Sequence, residues 1–111
     1  TITESTFVGN SATGDDGGAI YADRSFLTID RSVFTGNTAT DEGGAIRFYD
    51  GAATITNCVI SGNSAAAGGG MVLYAVTAIL SGCTIANNTA TGNLGGGGLR
   101  LYNGGSTLIE N

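Results

Sequence analysis

Apolar and polar residues alternate along this chain in short runs, and the alternation itself recurs. Residues 43–48 read GGAIRF, in which Ile46 and Phe48 share one parity and Arg47 takes the other. Such alternation is typical of a strand with one buried face. Twenty glycines, and many Thr and Asn residues within short segments, disfavour helices. The pattern therefore predicts an all-β protein.

Two half-motifs define an internal repeat. An apolar anchor is followed after 5 residues by Phe or Ile and after 3 more by Asn; a glycine pair and an apolar residue come next. The anchors are Ile2, Ile29, Ile55, Leu80 and Leu108, at intervals of 27, 26, 25 and 28 residues. Only the Asn-to-Gly distance varies, at 7, 6, 5 and 8 residues. Variation confined to one segment predicts a surface loop there.

The repeat length suits one turn of a parallel β-helix with three short strands per coil. We therefore predict a right-handed parallel β-helix (solenoid), in which coils of 25–28 residues rise about 4.8 Å each. It would form a single segment, 1–111, uncapped at both ends. Its coils would be 1–27, 28–53, 54–78 and 79–106, with 107–111 opening a fifth.

Stacked coils would place equivalent residues above one another in ladders. An internal asparagine ladder at a corner is predicted, whose amides bind the turn backbone and the next Asn. Its members are Asn10, Asn37, Asn63 and Asn88. The paired glycines would lie where the backbone bends sharply or approaches another segment. These are Gly17, Gly18, Gly43, Gly44, Gly68, Gly69, Gly96 and Gly97.

The joint motif, GGAI at 17–20 and 43–46 with FVGN at 7–10 and FTGN at 34–37, resembles the repeats of the chlamydial polymorphic outer-membrane proteins. It is also similar to related bacterial parallel β-helix passengers and surface proteins. Copies three and four carry Gly for Ala and Ile for Phe. The resemblance implies an autotransporter-like or otherwise exported protein, extracellular or at the cell surface, and often adhesive.

Net charge and hydropathy limit the classes of partner that this chain could bind. A net charge of −5 disfavours nucleic acid and anionic membranes, and no apolar run approaches the roughly 20 residues of a membrane span. Both ends are expected to be uncapped. The expected neighbours are therefore coils of a longer chain or copies of this chain end to end, with a host or cell-surface protein or glycan as a further partner. No cofactor is expected.

Two cysteines and four carboxylates are candidates for covalent or metal chemistry. Cys58 and Cys83 occupy equivalent positions of adjacent coils, as buried thiols or as a strained disulfide; metal binding is disfavoured because the chain lacks His and further Cys. A weak calcium candidate lies in the variable loops, where the alternative is a solvated acidic edge. Its members are Asp15, Asp16, Asp41 and Glu42.

Three tyrosines, Tyr49, Tyr74 and Tyr102, would form an exposed row beside Arg47 and Arg100. The row is a candidate binding face for sugars or a protein, or a stabilised corner. An interrupted Thr-x-Thr pattern is a weak signal for ice binding. The four arginines are expected at different repeat positions, without converging on the acidic loops, so no catalytic residues are predicted.

The sequence thus favours a non-enzymatic structural or adhesive surface β-helix, a stalk or passenger segment of a larger exported protein. One alternative is a subunit that stacks end to end into an extracellular filament. Another is a β-helix that binds carbohydrate or ice.

Overall fold

The computed structural model describes residues 1–111 as fourteen β-strands. No helix forms that is long and apolar enough to cross a membrane. The strands are β1 (Ile2–Thr3), β2 (Thr6–Val8), β3 (Ser11–Ala12), β4 (Ile20–Asp30), β5 (Val33–Thr35), β6 (Thr38–Ala39), β7 (Ile46–Thr56), β8 (Val59–Ser61), β9 (Ser64–Ala65), β10 (Met71–Ser81), β11 (Thr84–Ala86), β12 (Thr89–Ala90), β13 (Leu99–Tyr102) and β14 (Thr107–Glu110).

The strands form three sheets in which every pairing is parallel. Sheet A contains β1, β4, β7, β10 and β13, with β14 also paired to β10; sheet B contains β2, β5, β8 and β11; sheet C contains β3, β6, β9 and β12. Each sheet neighbour is therefore one coil away in the chain, which confirms the predicted solenoid of about four coils. The first strand of a complete coil is longer than predicted, at 11 residues.

The core lies inside the coils and consists of stacked apolar ladders. The anchors Ile29, Ile55 and Leu80 are buried. Phe34 is buried too and stacks on Phe7, with ring centroids 4.7 Å apart and planes 2° from parallel. Burying such side chains contributes about 1.5–3 kcal/mol each. Because successive coils repeat the same apolar positions, each coil covers the core face of the next.

The four asparagines stack at the corner between sheets B and C. The Asn37 side-chain Nδ2 donates to Asn63 Oδ1 at 3.0 Å and to Phe7 O at 3.0 Å, and the Asn37 backbone N–H donates to the same Asn63 Oδ1 at 2.9 Å. Asn63 repeats the pattern one coil further, donating to Asn88 Oδ1 and Phe34 O. Asn37 and Asn63 are buried. Each amide thus satisfies backbone that the turn leaves unpaired.

The paired glycines lie where coils touch backbone to backbone. The first glycine of a pair has positive φ, as at Gly43 (φ 68°). The second has no room for a side chain: a Cβ on Gly44 would lie 2.0 Å from Gly69 O and 2.6 Å from Ser64 N. The loop that leaves sheet C therefore enters sheet A through a passage that only glycine fits.

At the corner between sheets A and B, Asp30 accepts hydrogen bonds from Thr56 Oγ1 at 2.7 Å and Asn57 Nδ2 at 3.0 Å. These bonds, and the Arg31 guanidinium beside it, lower the pKa of Asp30 below its ordinary value. A lowered carboxyl pKa stabilises the fold above the unfolded-state pKa of about 3.9. That contribution is lost as the pH falls through the lowered pKa.

We expect Thr56→Val to raise the pKa of Asp30 toward its ordinary value, because it removes the hydrogen bond that does most to lower this pKa. An NMR titration of the Asp30 carboxyl carbon measures the change. Thr54→Val is the matched control, since Thr54 is exposed on the same strand and makes no bond to Asp30. An unchanged Asp30 titration in Thr56→Val would contradict this account.

Candidate functional site

The loops that follow sheet C fold over the outer face of the first half of sheet A. Beneath these loops, one outward-facing position of the repeat is occupied in successive coils by Tyr21, Arg47, Val72 and Arg100. Arg47 is only 6% exposed although it points away from the core. An arginine can be this deeply covered only where carboxylates accompany it, and the loops provide them.

Arg47 lies between loop carboxylates and an aromatic row. Its Nε is 2.9 Å from Glu42 Oε2 and 3.4 Å from Asp16 Oδ2. The Nε–H is not directed at either oxygen, so the atom is close enough for ion pairing but makes no hydrogen bond. Nη1 donates to the Phe48 carbonyl oxygen at 3.3 Å. The guanidinium is thus held mainly by charge.

Glu42 connects two arginines that lie two coils apart. Its Oε1 accepts from Arg100 Nη1 at 2.6 Å, and its Oε2 accepts from the Tyr102 hydroxyl at 2.8 Å. The expectation that the arginines occupy different repeat positions and do not converge on the acidic loops is therefore wrong for Arg47 and Arg100. Both align with Val72 of the coil between them. Alanines 66 and 67 of the third loop are too short to separate them from Glu42.

The three tyrosines form one row beside the arginines. Tyr49 and Tyr74 stack with centroids 4.6 Å apart, and Tyr102 meets Tyr74 edge-on at 4.6 Å. The Arg47 guanidinium carbon lies 5.5 to 5.9 Å from all three ring centroids, and that of Arg100 lies 4.3 Å from the Tyr102 ring. Only Tyr49 is exposed; Tyr74 and Tyr102 are half-buried. Cation–π attraction therefore fixes the row against the sheet.

Two groups in this region have altered proton affinity. Burial raises the pKa of Asp16, although the Glu42 backbone N–H and Arg47 act in the opposite direction. Burial also raises the pKa of Tyr102, and the hydrogen bond it donates to Glu42 adds to the effect. Perturbed titrating groups beside a cleft make this region a candidate functional site.

A cleft of about 350 Å³ opens beside this cluster. Its walls are formed by Asp16, Asp41, Glu42, Ala66, Ala67, Leu94 and Tyr102. The loop lengths explain its place, because the third loop is the shortest, with 5 residues from Asn to Gly, and the fourth is the longest, with 8. The short third loop contributes Ala66 and Ala67, whose side chains are small. Carboxylates of the first two loops and Leu94 of the fourth loop complete the lining.

The four acidic loop residues do not form a calcium site. No group of three or more His, Cys, Asp or Glu side chains is arranged to hold a metal ion. Asp16 and Glu42 turn toward Arg47 instead, while Asp15 and Asp41 remain exposed. Arginine thus takes the place that a cation would need.

A family model described as a right-handed beta helix region matches residues 1–111, the whole of the sequence. The chain belongs to this right-handed β-helix family. No curated protein and no solved structure matches it. Membership supports the handedness predicted for this β-helix, and it leaves the chlamydial resemblance without independent support.

We expect Glu42→Gln to destabilise this β-helix by about 2 kcal/mol, because Arg47 is left buried with Asp16 as its sole carboxylate neighbour. The value stays below that of a fully buried pair since Glu42 and Arg100 keep 16% and 20% side-chain exposure. Chemical denaturation followed by circular dichroism measures it. Asp41→Asn is the control, because Asp41 directly precedes Glu42 and is exposed. It should change the free energy of unfolding by less than about 0.5 kcal/mol. Equal losses in the two variants would contradict the role of Glu42.

Proposed function

We propose that this β-helix is a non-enzymatic structural element of an extracellular surface. It would bind a partner in adhesion through the cleft between its loops, which we call the loop cleft. The observation that carries the proposal is the cleft itself, about 350 Å³ between loops of successive coils on an otherwise regular scaffold. Clefts of this size, with a few polar groups on an apolar lining, are typical of binding sites. The ladders beneath keep the walls in place.

The engagement of Glu42 favours binding over catalysis. Glu42 is already held by Arg47, Arg100 and Tyr102, so its oxygens are engaged by fixed donors. A general acid or base must reach the proton of a bound substrate. Asp41 and Leu94 are exposed residues of the cleft lining, and they are the side chains most available to a partner.

Binding of the labelled chain to a glycan array and to a panel of purified extracellular-matrix proteins tests the proposal. Leu94→Ala and Asp41→Asn should each weaken the binding found by about tenfold, which corresponds to 1.4 kcal/mol. Thr84→Ala, exposed on sheet B and remote from the cleft, is the matched control. Binding that is insensitive to both cleft variants would overturn the cleft as the contact.

Two further outcomes would replace the proposal rather than adjust it. Release of oligosaccharide from an arrayed glycan, abolished by Asp16→Asn, would make the protein an enzyme. Uniform filaments in negative-stain microscopy would favour the end-to-end subunit. Neither is expected, and both are read from the same preparation.

Carbohydrate is a second candidate ligand, favoured by the cleft chemistry. Carboxylates accept hydrogen bonds from sugar hydroxyls, and an aromatic ring packs on the apolar face of a pyranose. Selective glycan binding that is lost in Tyr102→Ala and retained in Tyr21→Ala would establish this candidate.

A further inference from the structure

The two cysteines lie outside the loop cleft, and their arrangement is more regular than a disulfide or two unrelated thiols would require. Cys58 and Cys83 come directly before the paired strands β8 and β11, in which Val59 aligns with Thr84. The Thr84 backbone N–H donates to the Cys58 carbonyl oxygen at 2.8 Å. The two residues therefore stack directly, one coil apart. Both thiols are free.

The sulfur atoms point in the same direction. Cys58 Sγ lies 3.1 Å from the carbonyl oxygen two residues earlier, Thr56 O, and Cys83 Sγ lies 3.5 Å from the corresponding Ser81 O. Each sulfur also faces a carbonyl of the preceding coil, Ile29 O at 3.8 Å and Ile55 O at 3.3 Å. Matching contacts mean that one side chain repeats the other, displaced by the inter-strand spacing of about 4.8 Å.

A spacing of this size distinguishes a disulfide bond from a metal ion bound between the two sulfurs. A disulfide needs Cβ atoms about 3.5–4.5 Å apart and sulfurs at about 2.05 Å, so stacked parallel side chains would have to turn toward each other. Two metal–thiolate bonds of about the zinc–sulfur length, 2.3 Å, set in line, span about 4.6 Å without any turn. The unaltered fold therefore fits an ion between the sulfurs better than it fits a bond between them.

We propose that Cys58 and Cys83 form a linear two-coordinate site for a soft d¹⁰ cation, of which Cu⁺ and Hg²⁺ are examples. Soft thiolate ligands select such ions. Zinc, which takes four ligands at structural sites, is excluded because no third or fourth side-chain ligand accompanies the pair. Binding Hg²⁺ breaks both S–H bonds, releases two protons to solvent and forms two S–Hg bonds, with no change in oxidation state. The Hg²⁺ product is electrically neutral, as burial favours, whereas the Cu⁺ product would carry one negative charge.

The chain contains its own matched control. The same repeat position is serine in the first two coils, where Ser32 Oγ donates to Asp30 O at 3.0 Å and accepts from the Ser5 backbone N–H at 3.1 Å. Serine is thus a native occupant of this position. Cys58→Ser, Cys83→Ser and the double variant are expected to fold, which circular dichroism checks.

The test is a titration of the whole chain, refolded under reducing conditions, with Hg²⁺ in competition with excess glutathione. We expect one ion per chain, two sulfur ligands by X-ray absorption spectroscopy, and a 10²–10⁴-fold weaker affinity in either single variant, since the second thiolate acts at a high effective concentration. Adding Ser32→Cys to Cys83→Ser should restore tight binding, because it places two thiols at the neighbouring coil boundary. Equal affinity in wild type and single variants, a single sulfur ligand, or failure of this rescue would overturn the site.

Discussion

Gly44→Ala should prevent the second and third coils from closing against each other. The added Cβ would lie 2.0 Å from Gly69 O and 2.6 Å from Ser64 N and O, which are backbone atoms that no rotamer change can move. Contacts under 3.0 Å force the coils apart and break the backbone hydrogen bonds between them, including Gly44 N–H to Gly68 O at 3.2 Å. We expect a loss of more than about 4 kcal/mol in the free energy of unfolding, measured by chemical denaturation.

Gly9→Ala separates steric exclusion from backbone strain. Gly9 has a φ of 65°, but a Cβ there would meet no atom within 4 Å. Its substitution should cost only the strain of a left-handed residue, about 1–2 kcal/mol. A Gly44→Ala protein that unfolds at the same denaturant concentration as Gly9→Ala would show that the coils are not in backbone contact at this point.

Asn63→Ala should be nearly as damaging, although it removes a polar side chain from an apolar interior. Asn63 Oδ1 accepts from both the backbone N–H and Nδ2 of Asn37, and its own Nδ2 donates to Phe34 O. Alanine leaves buried groups on both sides without a partner, at about 1–3 kcal/mol for each one that water cannot reach. We expect a total loss of about 3–4 kcal/mol in the free energy of unfolding.

Asn10→Ala is the corresponding control. Asn10 is exposed, and its side chain only donates within the ladder, at 2.9 Å to Asn37 Oδ1. That oxygen still accepts from the backbone N–H of residue 10, at 3.0 Å, after the substitution. The expected loss is below about 1 kcal/mol. Hydrogen exchange supplies a second reading, since the Asn37 amide should lose protection in Asn63→Ala and keep it in Asn10→Ala. Comparable losses in the two variants would refute the distinction between them.

The solenoid could be predicted because its signal is repeated. Ile29, Ile55 and Leu80 stand at one position of the repeat, and in a parallel stack such residues must lie above one another. Each coil thus corroborates the interpretation of the others. The length of the first strand is less visible in the sequence, because a residue with positive φ, such as Asp50 (φ 54°), leaves the pairing while the same register resumes at the next residue.

The contacts among Glu42, Arg47, Arg100 and Tyr102 could not be predicted in the same way. These contacts join Glu42 to Arg100 and Tyr102, which are 58 and 60 residues away. They depend on the reach of long side chains across coils and on loop paths of unequal length, neither of which a repeat pattern specifies. One signal was present: Arg47 and Arg100 each follow the first glycine of their pair by 4 residues. Counting from that glycine places both on the same ladder.

The parallel register also determines how the molecule would bear a mechanical load. The hydrogen bonds between coils lie along the solenoid axis. Tension applied to its two ends would therefore load and break them a few at a time, beginning at the terminal coil. Each coil that opens would release 25–28 residues, or on the order of 90 Å of extended chain. Such a protein would yield in even steps under low force and could lengthen severalfold without detaching whatever it joins.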